Sequence, residues 1–301
     1  MTLLIGSLQL GLIYGLLAIG VYIAFRILNI PDLTAEGSFT FGLAVSARFT
    51  MMGHPYIGIL AAIAAGALAG CITGLFQTKL SIHPVLAGIL TMSGLYSVNL
   101  LIMGSSSNLS LIGSDTVFKL LQDTFSGVSK DMIKLLIPLV VVILVIILLA
   151  AFFKTHIGLC IRATGDNEDM VRASSINVDA TKILALAIGN GSIALSGALI
   201  AQYQGFADIN SGVGIIVVGL ASVIIGELVF RKDSVTAGLI AALIGSVIYR
   251  FIIALALKYS PFPAYALKLV SACIVAVALS LPAIKYQSEL RKIKKGARKS
   301  C

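Results

Sequence analysis

Charge is scarce in this chain. Asp, Glu, Lys and Arg make up 12% of its 301 residues, about half the share found in a water-soluble domain of that size. Histidine is scarcer still: His54, His83 and His156 stand far apart and read as loop or span-end residues. No H-E-x-x-H, G-x-S-x-G or G-x-x-x-x-G-K-[ST] occurs, which excludes a zincin centre, a serine-hydrolase elbow and ATP binding by a P-loop. Cys71, Cys160, Cys273 and Cys301 lack metal-ligand spacing and form no disulfide framework, so they read as small packing residues. No run of acids lies within apolar sequence, so no proton relay is legible. The expectation is a chain with no catalytic residue, no cofactor and no metal, whose energy comes from a partner or an ion gradient.

What remains is apolar. Hydrophobic residues make up 58% of the chain, its mean hydropathy is +1.02, and the apolar runs recur at about 20 residues, the length of a membrane-crossing helix. Spans are expected at 3–25, 33–51, 56–76, 84–104, 135–153, 183–203, 213–230, 235–257 and 264–284. The alternating ten-residue segments of a β-barrel are absent. The fold class is therefore an all-α polytopic membrane protein of about nine helices, one domain over 1–301. The first span lacks a basic leader and a cleavage site, so it is expected to be retained.

The net charge of +9 is a matter of placement. Seven of the 22 basic residues follow Ile284, in a tail over 285–301. That pattern fits a cytoplasmic tail near anionic lipid and gives no reason to expect nucleic acid. With the tail inside, the N-terminus and the Ser-rich loop 105–134 fall outside, and the loop has room for a short helix over Asp115–Asp123. The 154–182 loop, Arg26, Lys79, Arg231 and Lys232 fall inside.

One long polar interruption, 155–182, breaks the apolar series. Within it Asp166, Asn167, Glu168, Asp169, Met170, Val171, Arg172, Ala173, Ser174 and Ser175 read as a short helix. Asp166 or Asn167 can cap it, and the early acids suit the positive end of its dipole. Met170, Val171 and Ser174 share a face. The segment is either a solvated loop or a plug that presses into a cytoplasmic partner.

The chain also repeats itself. Gly37–Ala44 ("GSFTFGLA") aligns with Gly214–Ala221 ("GIIVVGLA"), 177 residues on, and Gly20-x-x-Ile23-Ala24 aligns with Gly197-x-x-Ile200-Ala201 at the same offset. The matching elements are five spans apart, so the halves, 1–104 and 183–284, cross in opposite directions, as in transporters with inverted repeats. Both repeats enter a span after helix breakers, at Asn29-Ile30-Pro31-Asp32 and at Asp208–Gly212. Glu36 is expected at the inner edge of the first broken helix, as a capping carboxylate or as part of a gate. Gly37, Ser38, Thr40, Phe41, Gly214, Val217 and Val218 are the expected pathway residues beside it. Glycines 37, 42, 66, 70, 74, 88 and 94 suit close helix packing, and Glu227 should be paired or snorkelling.

The stretch "IRATGDNEDMVRASSINVDATKI" resembles the cytoplasmic loop of permease subunits in the ABC importer family for branched-chain amino acids and ribose, at Thr155, Gly158, Ala163, Gly165, Asn167, Glu168, Ala173, Ile176, Asn177 and Val178. "LNIPDLTAEGSFTFGLAVSA" resembles that family's first broken helix, and its "DLTAEGSF" is similar to a subgroup associated with aromatic amino acids, tryptophan or tyrosine. The resemblance implies a bacterial plasma-membrane importer. Its parts would be two permease copies, a cytoplasmic ABC ATPase dimer that docks on the 166–175 coupling helix, and an extracellular substrate-binding lipoprotein. Two positions depart from the pattern: Ser175 stands where a Gly is common, and Leu159 where an Arg is common. An ion-gradient transporter and a membrane-embedded enzyme or channel are the alternatives.

Overall fold

The computed structural model describes residues 2–124, 127, 129–230 and 234–259, with helical residues at 269, 272–273, 275–276 and 280. The chain divides into a large unit, Met1–Phe251, and a small one, Ile252–Cys301, whose described residues are helical. Apart from those positions, the expected ninth span and the basic tail lie outside the described residues, as do Arg231 and Lys232.

The helices are α1 (Thr2–Tyr22, continued by a π turn, Ile23–Ile27), α2 (Thr34–Met51), α3 (Pro55–Thr78), α4 (Pro84–Ile102), α5 (Val117–Thr124), α6 (Lys130–Phe152), α7 (His156–Asp166), α8 (Glu168–Ala173), α9 (Val178–Gln204), α10 (Ile215–Val229) and α11 (Val235–Tyr259). Two three-residue strands, β1 (Asn108–Ser110) and β2 (Phe206–Asp208), pair antiparallel with Leu109 opposite Ala207. Among the described residues seven helices are long and apolar enough to cross a membrane, two fewer than expected. One of the missing two is α2. It forms, but Thr34, Glu36, Ser38, Thr40, Ser46, Arg48 and Thr50 make it too polar for that class, and it is tolerated because it is packed inside protein.

The bundle is built around α9, which packs against α1, α2 and α3. Glycine lets α3 come close. Gly66, Gly70 and Gly74 lie one turn apart facing α9, and a methyl group on Gly74 would sit 2.8 Å from the Ile183 Cα. Gly94, by contrast, faces open space. Lipid replaces water as the solvent at the periphery: Leu136, Val140, Leu144, Ile147 and Leu148 of α6 are exposed.

Contacts between helix ends fix which ends lie together. At one end, here the first, Gln9 near the start of α1 meets Asp131 and Tyr203, and Gln202 near the end of α9 meets Pro55 and Val117. At the opposite, second end, Gly165 of α7 packs on Ile27, Lys79 pairs with Asp179 and Arg26 pairs with Glu227. The loop after α4 and the start of α1 therefore share one end, and α7 and α8 share the other.

The polar interruption is shorter than its composition suggests. Thr155, Asn167 and Asn177 each cap a helix, accepting the N–H of Gly158 (3.3 Å), Met170 (3.0 Å) and Ala180 (3.1 Å). Three successive caps turn 155–182 into α7, α8 and the first turn of α9, so α9 starts five residues before the apolar run does. The extra α7 was not expected from the sequence.

Candidate functional site

Two interruptions in the helix series meet inside the bundle. At the first, α1 loosens into its π turn, and Ile30 N–H closes on the Ala24 carbonyl at 2.9 Å. Asn29 takes a left-handed conformation (φ 55°) and Pro31 follows. Asp32 is then buried. Its Oδ1 accepts the Thr34 N–H at 2.9 Å in an Asx turn, and its Oδ2 accepts Asn190 Nδ2 at 2.6 Å. Hydroxyls extend the network sideways, with Thr34 to Thr73 at 2.7 Å and Thr73 to Thr91 at 2.9 Å, tying α2 to α3 and α4. The start of α2 packs on Gly88, a turn into α4, and Gly37 packs on Met92 and Leu95 near its middle. Glu36 therefore lies about 12 Å along α4 from its second-end terminus, deeper than the inner edge expected from sequence.

The second interruption follows α9. Gly205 ends that helix in the left-handed region (φ 77°), β2 pairs with β1, and a 3-10 turn, Ile209–Gly212, follows. Gly214 (φ 81°) redirects the chain into α10. Only glycine takes that φ without strain. Gly219 of α10 packs on Val21 and Leu17 of α1, and Glu227 reaches Arg26, so α10 runs toward the second end. Ser46 of α2 meets Ala198 and Gln202 of α9, so α2 runs toward the first. Two helices of opposite direction thus begin at neighbouring points inside the bundle.

Glu36 joins them. Its Oε1 accepts the Gly214 N–H at 3.0 Å, placing a carboxylate at the positive end of α10. The cap is made to the other helix rather than to its own first turn, and the same side chain lines a cavity of about 430 Å³. Glu36, Gly37 and Thr40 come from α2, Ile209, Gly212 and Val213 from the second interruption, and Met92, Ser93, Tyr96 and Asn99 from α4. Four other expected lining residues do not face it. Ser38 is fully buried, Phe41 packs against the Val45, Ala62, Ala65 and Ala198 cluster, and Val217 and Val218 pack on the main core. Each lies on the wrong side of its helix: 100° per residue takes Ser38 and Phe41 away from the face of Glu36 and Thr40. Gly214 caps the site through its N–H without lining it. The contribution of α4 was missed, although Ser93, Tyr96 and Asn99 at i, i+3 and i+6 make a polar stripe on an apolar helix.

At the second end, α8 is short and charged. Glu168 accepts from Arg172 at 2.9 Å and from Lys182 at 2.5 Å. The Lys182 bond, then the Arg172 bond, hold its carboxyl below its ordinary value of 4.5 against the partial desolvation that opposes them. Asn167 is the cap, and Asp166 belongs to the end of α7. The expected shared face splits: Val171 is 4% exposed and turns into its own chain, while Met170 is 69% exposed. Asp169, Ala173 and Ser174 are exposed with Met170. Ser175 has φ 61°, the region glycine favours, which gives the common Gly at this position its physical reason.

A family model described as a branched-chain amino acid transport system permease component matches residues 3–279. A tyrosine transport system permease protein of Clostridioides difficile is 39% identical over 281 residues, covering 93% of this chain and 91% of the relative. The ribose import permease RbsC of Escherichia coli K12 is 28% identical over 195 residues, 62% of this chain and 58% of that one. Among solved structures, PsaBC from Streptococcus pneumoniae in complex with Fab has a TM-score of 0.52 at 16% identity, covering 92% of this chain and 89% of that one. An inward-facing putative metal-chelate type ABC transporter also scores 0.52, at 14% identity, with 94% and 85% covered. At those identities the two structures speak to fold alone.

Proposed function

Because the chain belongs to the branched-chain amino acid transport system permease family, the membrane component of ABC transporters, we propose that it forms the translocation pathway of an aromatic amino acid importer. The observation that carries this reading is the convergence of α2 and α10 on a cavity in mid-bundle, lined by Glu36 from one and reached through the Gly214 turn of the other. Discontinuous helices that start at mid-depth and point their ends at a shared cavity are how transporters place irregular backbone where a solute passes. The opposite directions of α2 and α10 support the inverted repeat of halves 1–104 and 183–284, and the tyrosine-transport relative supports the substrate class. The ion-gradient alternative finds no support in the family match or the relatives.

In this reading the second end is cytoplasmic. Arg26, Lys79, Lys154, Arg162, Arg172 and Lys182 gather there, and the tail would add seven more bases. The full chain has nine spans in a bacterial plasma membrane, pairs with a second copy, and receives substrate from an external binding protein. ATP is hydrolysed in a separate ATPase dimer against which α8 presses Met170, Ala173 and Ser174.

That docking gives the test. Ala173→Arg or Met170→Asp places an unpaired charge in a packed contact, at a cost of several kcal/mol. Import and ATPase co-purification should both fall to background while membrane insertion stays normal, and Lys119→Glu at the other end should leave both intact. Full import by Ala173→Arg would reduce α8 to a linker. For orientation, an impermeant thiol reagent on intact cells should label a cysteine at Ser106 and spare one at Ser300.

A further inference from the structure

We propose that Tyr96 is the specificity-determining residue of the cavity, an aromatic face on which a passing ring is held, with the Met92 thioether beside it. The proposal rests on the pathway reading above and names the side chains that tell an aromatic substrate from an aliphatic one.

Glycine sets the walls. α2 is the floor and contributes Glu36, Gly37 and Thr40 to the cavity. A methyl group on Gly37 would sit 3.2 Å from the Met92 Cα, so α4 rides directly on that floor. On the other side a methyl group on Gly212 would overlap the Thr40 hydroxyl and the Glu36 carbonyl, so the second interruption is pressed onto α2 as well. Each contact ends on backbone, the Met92 Cα or the Glu36 carbonyl. The spacing of the two walls is therefore held by packed main chain, not by rotamers that could yield.

The walls differ in chemistry from ordinary apolar packing. Met92 and Tyr96 are four residues apart on α4, one above the other on a single face, and both line the cavity. Ile209 and Val213 line it from the second interruption. Tyr96 is 53% exposed, so its own chain leaves much of the ring uncovered. An aliphatic side chain gains from such walls only through the area it buries. An aromatic ring gains more, because it can stack offset or edge-on against Tyr96 and take a thioether at its rim. That surplus is open only to a π system, which makes it a means of selection and not of adhesion alone. A tyrosine on a membrane helix can also be placed by the headgroup region, where its hydroxyl reaches water. The two roles part at Tyr96→Phe, which keeps the ring and removes the hydroxyl.

The test uses the purified full-length chain in lipid nanodiscs and two probes of equal charge and similar bulk, phenylalanine and cyclohexylalanine. The saturated ring is the more hydrophobic, so area burial alone would favour cyclohexylalanine. Ligand-observed saturation-transfer NMR at millimolar concentration should instead show phenylalanine binding about fivefold more tightly. Tyr96→Leu should bring that ratio to about one, weakening phenylalanine and leaving cyclohexylalanine within about twofold, at an unchanged thermal midpoint. Tyr96→Phe should keep the ratio, and Met92→Leu should lower it by about twofold. A wild-type ratio of about one or less, a ratio that survives Tyr96→Leu or is lost in Tyr96→Phe, or no saturation transfer to either probe overturns the assignment. A second arm separates it from the pathway reading. In a cysteine-free background, Ser93→Cys, on the same wall, is modified with a bulky thiol reagent and tyrosine import is measured in the complete transporter. Blocked import without a ring preference keeps the pathway and removes the assignment to Tyr96. Undiminished import in the modified protein removes the pathway and the assignment with it.

Discussion

The helices α2 and α10 perform the same act with opposite chemistry. Each starts after a break, and each has a first N–H group answered by a side-chain carboxylate. α2 carries its own answer in Asp32, which folds back in an Asx turn and is steadied by Asn190. α10 has none and borrows a carboxylate from α2. Their compositions follow. α2 is rich in hydroxyls and mostly buried, whereas α10 has no charged residue until Glu227. The lesson is that an interrupted helix can cap itself and be structural, or be capped by a neighbour and register where that neighbour is. The second kind suits a moving part.

The comparison breaks most visibly at Asp32. Asp32→Leu strands the Thr34 N–H and the Asn190 amide together and should cost about 3 kcal/mol, seen as poor folding and a lowered thermal midpoint. Asp32→Asn keeps an acceptor and should cost about 1 kcal/mol. Equal losses in the two would mean that the charge, not the cap, holds α2. Next in size is Glu36→Ala, which uncaps α10 for about 1 kcal/mol yet should abolish import, because the side chain also lines the cavity. A loss of import that merely tracks stability would make Glu36 a second Asp32. Smaller again, Ser175→Gly relieves a left-handed serine but adds backbone freedom to the unfolded chain, for a net gain of about 0.5 kcal/mol. A drop in thermal midpoint would contradict the φ of 61°.

The smallest effect belongs to Glu168. Its carboxyl is held below 4.5, so the stability it adds is present above that pH and lost as pH falls through the folded value. Its exposed position keeps the amount under about 0.5 kcal/mol. The difference between wild type and Glu168→Gln should not move between about pH 8 and pH 5.5, and should vanish in acid. A difference that grew as pH fell would reverse the assigned sign.

Much of this was legible in the residues. Apolar run length pointed to the crossing helices, and Pro, Gly, Asn and Asp clusters marked the breaks at 29–32 and 208–212. Cap chemistry announced α8 at Asp166 or Asn167, and Asn167 is the residue that caps it. What escaped is what depends on partners distant in sequence. The depth of Glu36 depends on how far α2 is carried along α4, and the burial of Asp32 on Asn190, 158 residues away. Val171 was assigned to a free face because periodicity names a face without saying which neighbour it meets. α7 was hidden because a polar helix outside the membrane has the composition of a loop, and Thr155 was the one signal of its start.

The miniature sheet at the first end also has a mechanical consequence. Leu109 pairs with Ala207, the Leu111 N–H reaches the Gly205 carbonyl at 2.9 Å, and the Ile209 N–H reaches the Ser107 carbonyl at 3.0 Å. These bonds splice the loop after α4 onto the chain between α9 and Gly212, five residues from the Gly214 turn at its near edge. Extended backbone is stiff along its length, so a tug on the loop is passed on rather than absorbed. α4 ends at that same loop and carries Tyr96 and Asn99. Force applied at residues 105–112 therefore arrives at two walls of the cavity at once, as a handle fixed to both leaves of a hinge.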